Sequence, residues 1–131
     1  MATARKSKAK AEFGDFQTPV KLTQQVCELL VKLGVQPGTI LEPTCGVGNF
    51  LIAAAAAFPT AKTAVGIEIN PDYVIAAQAQ VAALALGDRV QVRQGDFFAT
   101  PWPDVLRSLP DPLLVIGNLP WVTNSELSGL G

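Results

Sequence analysis

At 131 residues the chain is long enough for one domain and too short for two. A composition of 49% hydrophobic and 16% charged side chains is that of a globular fold with a large interior, and no stretch approaches the ~18 apolar residues that a membrane span needs, so no membrane partner is expected and the cytoplasm is the expected compartment. The formal charge of −1 hides an asymmetry: four of the ten basic residues lie in the first ten positions, which leaves six basic against eleven acidic side chains in the rest, a poor electrostatic match for nucleic acid.

The first twelve residues, with Arg5, Lys6, Lys8 and Lys10 and no apolar stretch behind them, read as a disordered basic tail. Residues 13–131 read as the folded part. From 19 to 33 the apolar positions Val20, Leu22, Val26, Leu29, Leu30 and Leu33 have helical spacing. Thr18 is the expected N-cap, Pro19 the first helical residue and Gly34 the stop. Thr39–Glu42 reads as a short buried strand, residues 43–48 as a loop of small residues, and the alanine-rich 49–58 as a helix. A second strand is expected over 63–69 and a helix from Asn70-Pro71-Asp72 to about Leu86, with Gly87-Asp88 as the turn beyond it. A third strand over 89–93, a short helix over 104–109 and a fourth, wholly apolar strand over 113–116 complete the pattern. Strands and helices alternate, which predicts an α/β fold: a parallel sheet with helices on both faces. In such sheets ligands sit at the carboxyl ends of the strands, where Glu42, Glu68, Asp96 and Asn118 fall.

The residue inventory narrows the chemistry. There is no histidine, so His-based metal sites and Ser–His or Cys–His nucleophiles are excluded, and no metal is expected. Cys27 and Cys45 are too few for a disulfide scaffold. The loop Glu42-Pro43-Thr44-Cys45-Gly46-Val47-Gly48 has two glycines for a tight turn and a close backbone approach to a ligand. A dinucleotide fingerprint needs a third glycine where Leu51 stands. Glu68 lies beyond the loop by about the ~20 residues at which an acid binds ribose hydroxyls in nucleotide-binding folds. Asp96 and Phe97 offer an acceptor and an apolar face for an adenine ring. In Asn118-Leu119-Pro120-Trp121, the Asn118 amide oxygen and the Leu119 carbonyl can accept both hydrogens of one planar amino group, Pro120 stiffens the turn, and Trp121 can stack on the ring that bears the amine.

Taken together, these segments resemble motifs I to IV of class I S-adenosylmethionine-dependent methyltransferases. Phe13-Gly14-Asp15-Phe16-Gln17-Thr18-Pro19 resembles the motif X that precedes them in DNA N6-adenine methyltransferases of restriction–modification systems. The resemblance runs from Phe13 to Trp121. It implies a Rossmann-like fold and S-adenosyl-L-methionine as cofactor. Phe13, Gln17 and Thr18 would line its methionine end, and Glu42, Thr44, Cys45 and Gly46 would surround its amino and carboxylate groups. Glu68 would hold the ribose, Ile69 would pack on the adenine, and Asp96 and Phe97 would bind that ring's edge and face. Asn118, Leu119, Pro120 and Trp121 would be the catalytic set. The implied reaction is direct methyl transfer to the exocyclic N6 amine of an adenine flipped out of DNA.

Two departures from the family pattern stand out. Leu119 replaces a proline, and Asn-Leu-Pro-aromatic also occurs in ribosomal RNA adenine dimethyltransferases, whose N-terminal motif differs from residues 13–19. The family sheet has seven strands and this sequence accounts for four. The chain therefore reads as an N-terminal fragment of a larger enzyme, inactive by itself, with DNA recognition located elsewhere in the parent. In the family order, residues 113–116 would form an open edge able to pair with another copy. Alternatives are a cofactor- or partner-binding module without activity, an RNA adenine or protein glutamine N-methyltransferase, and an NAD-dependent oxidoreductase.

Overall fold

The computed structural model describes residues 17–118. The expected basic tail, Phe13, and the run from Leu119 onward lie outside them. The elements alternate as α1 (Val20–Lys32), β1 (Thr39–Glu42), α2 (Asn49–Ala57), β2 (Thr63–Glu68), α3 (Pro71–Ala83), β3 (Val90–Gln94), α4 (Trp102–Arg107) and β4 (Leu113–Val115).

All strand pairs are parallel and the order is β3-β2-β1-β4. Ile40 is level with Ala64 and Leu114, and Leu41 with Val65 and Val115. Because side chains alternate across a strand, Ile40, Ala64, Val90 and Val92 face a core filled by α1, α2 and α3. Leu41, Val65 and Ile67 face the other side, where Trp102, Val105 and Leu109 cover them. β1 and β2 are thus apolar on both faces, whereas β3 alternates, with Val90 and Val92 buried and Gln91 and Arg93 exposed. β4 forms one edge, and Val115 is 47% exposed.

Helix ends depart from the sequence expectation in two places. Pro19 keeps an extended ψ of 141° and is the N-cap, so α1 begins at Val20 and Thr18 caps nothing. The Thr18 carbonyl instead accepts the Asn49 side-chain N–H at 3.1 Å. At the other end of α1, Gly34 at φ 82° donates to Val31 and Val35 donates to Leu30, a Schellman closure. α3 ends the same way three residues before Leu86: Ala85 donates to Ala82 and Leu86 to Val81. Here the left-handed position is held by Ala85, at φ 55°. Gly87 and Asp88 lie in the turn beyond the helix.

α2 is apolar all round and carries no charge. It is wedged between α1 and the sheet, with Leu51, Ala54 and Ala55 fully buried. Its small side chains allow the close approach. Its amino end therefore lies beside the carboxyl end of β1, where the candidate site is built.

Candidate functional site: an acidic cleft at the carboxyl ends of the strands

Every strand delivers its following loop to one cleft of about 640 Å³, within the range of small-molecule sites. Gln17, Thr18, Glu42, Thr44, Cys45, Gly46, Glu68, Ile69, Asp96, Phe97 and Asn118 all line it. Sequence reasoning named each of these. Phe13, Leu119, Pro120 and Trp121 fall outside the described residues.

The glycine loop between β1 and α2 is fixed bond by bond. The Gly46 N–H donates to Glu68 Oε1 at 2.8 Å. The Val47 N–H donates to Gln17 Oε1 at 3.1 Å, and the Val47 carbonyl accepts from Gln80 Nε2 at 2.7 Å. The Cys45 N–H reaches the Ile67 carbonyl, and the Gly48 N–H the Cys45 carbonyl, each at 2.9 Å. Gly46 sits at φ 55°, and a Cβ there would run into the Gln17 carboxamide.

Glu68 was expected to hold the ribose. Its carboxylate also spans two backbone donors, Gly46 N–H through Oε1 and Asn70 N–H through Oε2, each at 2.8 Å. It thereby locks the glycine loop to the start of α3. Glu42 performs a similar task at the start of α2, where its Oε1 accepts the Leu51 N–H at 3.0 Å. Leu51 is the third residue of that helix, so the Glu42 carboxyl caps the helix amino terminus. Burial pushes the Glu42 carboxyl up to about 9; the Leu51 N–H opposes the shift and the Glu68 carboxylate adds to it. Burial likewise drives the Cys45 thiol well above its ordinary range, with Glu42 and Glu68 contributing. Cys45 is 4% exposed and serves as packing beneath the loop.

Across the cleft, Asp96 Oδ1 accepts the Phe98 N–H at 2.9 Å and shapes the turn after β3. Phe97 turns inward against Trp102, with ring centroids 5.5 Å apart, and meets Phe98 edge-on at 5.1 Å. Phe98 and Ile69 are the exposed apolar walls, at 67% and 61%. The sequence reading named Phe97 and missed Phe98, because the Asp96 turn decides which aromatic faces out. It also missed Gln80, and it took Asn70 and Asp72 only as a helix start, although both line the cleft.

This donor set fits a cationic nucleoside and disfavours a phosphate. Glu68, Asp72 and Asp96 line the cleft beside the protonated Glu42, and no lysine or arginine does among the described residues. The helix terminus that would cradle a pyrophosphate in a dinucleotide fold is already capped by Glu42. The NAD alternative therefore loses its binding device.

The family described as methyltransferase domain matches residues 40–109, more than half of the chain. The chain belongs to the class I S-adenosylmethionine-dependent methyltransferases. Within that methyltransferase family, it is 49% identical over 119 residues to the type II methyltransferase M.NspV of a Nostoc species, a match covering 91% of this chain and 25% of the relative. It is 28% identical over 114 residues to the type II methyltransferase M.XamI of Xanthomonas campestris pv. amaranthicola, covering 87% of this chain and 20% of that one. The chain thus spans a quarter or less of the length of these methyltransferases. Among solved structures, an RNA methyltransferase from Salinibacter ruber in complex with S-adenosyl-L-homocysteine is similar at 29% identity and a TM-score of 0.53, covering 65% of this chain and 53% of the other. The S-adenosylhomocysteine-bound Podospora anserina methyltransferase PaMTH1 shares the fold at 20% identity and a TM-score of 0.57, covering 77% of this chain and 42% of the other. Among the described residues, no helix is long and apolar enough to cross a membrane, and no cluster of potential metal ligands occurs.

Proposed function

We propose that this chain forms the cofactor-binding part of a DNA adenine-N6 methyltransferase of the restriction–modification type. The observation that carries the reading is the delivery of Asn118, at the end of β4, to the mouth of the same acidic cleft that holds Glu42 and Glu68. The 49% identity to a type II methyltransferase supports the restriction–modification context.

When bound, S-adenosylmethionine supplies an electrophilic methyl group on a sulfonium. The chain's residues do the rest. Glu42, Cys45 and Gly46 surround the amino-acid end, with Gln17 and Thr18 beside them. Glu68 accepts hydrogen bonds from the ribose with the lone pairs its backbone partners leave. Ile69 and Phe98 flank the adenine, and Asp96 holds its edge. The Asn118 amide oxygen accepts a hydrogen from the target amine. That localises a lone pair otherwise delocalised into the base and raises its nucleophilicity. The Leu119 carbonyl takes the second hydrogen and Trp121 stacks on the flipped base. No enzyme nucleophile is needed, in keeping with a buried Cys45.

DNA contacts belong to further residues of a longer protein, because the cleft and its surroundings are acidic. β4 is unpaired on its outer side among the described residues. That edge is open to further strands of the same protein or to a second copy pairing through residues 113–116.

The test is to incubate a longer protein carrying this chain with labelled S-adenosylmethionine and unmethylated DNA, then digest to nucleosides. N6-methyl-2′-deoxyadenosine, lost on Asn118→Ala, is expected. Label found only in cytosine, RNA or protein would refute the adenine-DNA reading, and cofactor binding by the chain without transfer in any longer protein would favour a pure binding module.

A further inference from the structure

Two contacts tie the turn after β4 to the loop after β1. Thr44 Oγ1 donates to the main-chain carbonyl oxygen of Asn118 at 3.2 Å. One residue earlier, Gly117 adopts φ 137° with its backbone against the Glu42 carboxyl, where a Cβ would fall 2.8 Å from Oε2 and 2.9 Å from Cγ. β4 itself is only three residues long and half-exposed, so the strand alone is a weak guide for the turn at its end. That turn is therefore set from the neighbouring loop: the Glu42 carboxyl closes one side and the Thr44 hydroxyl pins the other.

We infer that Thr44 is a positioning residue for the reactive turn, its hydroxyl hydrogen committed to the Asn118 carbonyl and its effect exerted through the aim of the Asn118 amide. This rests on the proposed role of Asn118. It departs from the sequence expectation, in which Thr44 served the cofactor's amino-acid end directly. The carbonyl that Thr44 holds belongs to the peptide leaving Asn118. Rotating that peptide swings the turn relative to the cleft, and transfer rates are steeply sensitive to such displacement: about 1 Å of misplacement costs on the order of a hundredfold.

The test uses isotope-labelled chain with Thr44 intact and as Thr44→Val, Thr44→Ala and Thr44→Ser. Valine keeps the shape and loses the donor, alanine is the second variant should valine disturb packing, and serine restores the hydroxyl. The expected result is a displaced Asn118 carbonyl carbon resonance in the valine and alanine variants and its return in serine, while the calorimetric affinity for S-adenosylhomocysteine stays within about twofold. In a longer protein carrying the chain, valine should lower kcat about tenfold or more with little change in the cofactor KM, and serine should recover it. An Asn118 resonance that stays in place in both valine and alanine overturns the inference, whatever happens to affinity. Affinity falling about tenfold with that resonance unmoved assigns Thr44 to the cofactor instead. Failure of the unaltered chain to bind S-adenosylhomocysteine would defeat the cofactor reading, and the resonance comparison would still decide the role of Thr44.

Discussion

Replacing Glu42 by glutamine should flatten part of the pH dependence of stability. Glu42 is 4% exposed and its carboxyl is pushed from 4.5 to about 9, first by burial. The unfolded chain releases this proton near its ordinary value while the folded chain retains it. Stability from this group is therefore complete below about pH 4.5 and is lost as pH rises towards 9. Within that window each pH unit removes about 1.4 kcal/mol, or about 3 kcal/mol between pH 5 and pH 7. Glutamine retains an oxygen for the Leu51 N–H and has no proton to lose. Urea denaturation of both proteins across this range gives the difference directly, because titrating groups remote from Glu42 cancel. The glutamine variant should gain on the parent steadily as pH rises. A constant difference would show that Glu42 is ionised in the folded chain, and the account of its burial would be wrong.

Glu68→Ala removes the acceptor of two backbone N–H groups, one of them buried, and should cost about 2–4 kcal/mol in a denaturant melt as well as weakening S-adenosylhomocysteine binding by calorimetry; a loss below about 0.5 kcal/mol would mean that the glycine loop is held by its other bonds. Ala85→Gly relieves a left-handed alanine at a helix end and should raise stability by roughly 1 kcal/mol; a destabilised variant would contradict the φ of 55°. Cys45 should resist thiol reagents at neutral pH and react only on unfolding, since it is buried and its thiol is pushed up by burial and two glutamates. Rapid labelling of the native chain would refute that environment.

The sheet was legible because β1 and β2 are continuous apolar runs between turn signals, and a strand buried on both faces has that signature. The loop acids were legible because each stands at or just beyond the end of a strand. The features that escaped lie in contacts that no local pattern encodes. Gln80 is one of two glutamines in α3, and only the folded register brings it to the Val47 carbonyl. The end of α3 was misplaced because an alanine takes a backbone conformation normally signalled by glycine. The second duty of Glu68, bracing two segments, appears only once Gly46 and Asn70 are neighbours. The helix start at Val20 was missed by one residue because Pro19 suits either side of the boundary.

The strand order β3-β2-β1-β4 means that the chain builds outward from β1 in one direction and then returns to its other side. In the proposed function, every residue placed on the nucleoside comes from the outward leg, and Asn118 comes from the return. Within the sheet the two legs are joined through β1. Under the proposed function, substitutions beyond residue 113 would therefore alter the acceptor side of the cleft while leaving the residues of the outward leg, and with them the cofactor side, in place.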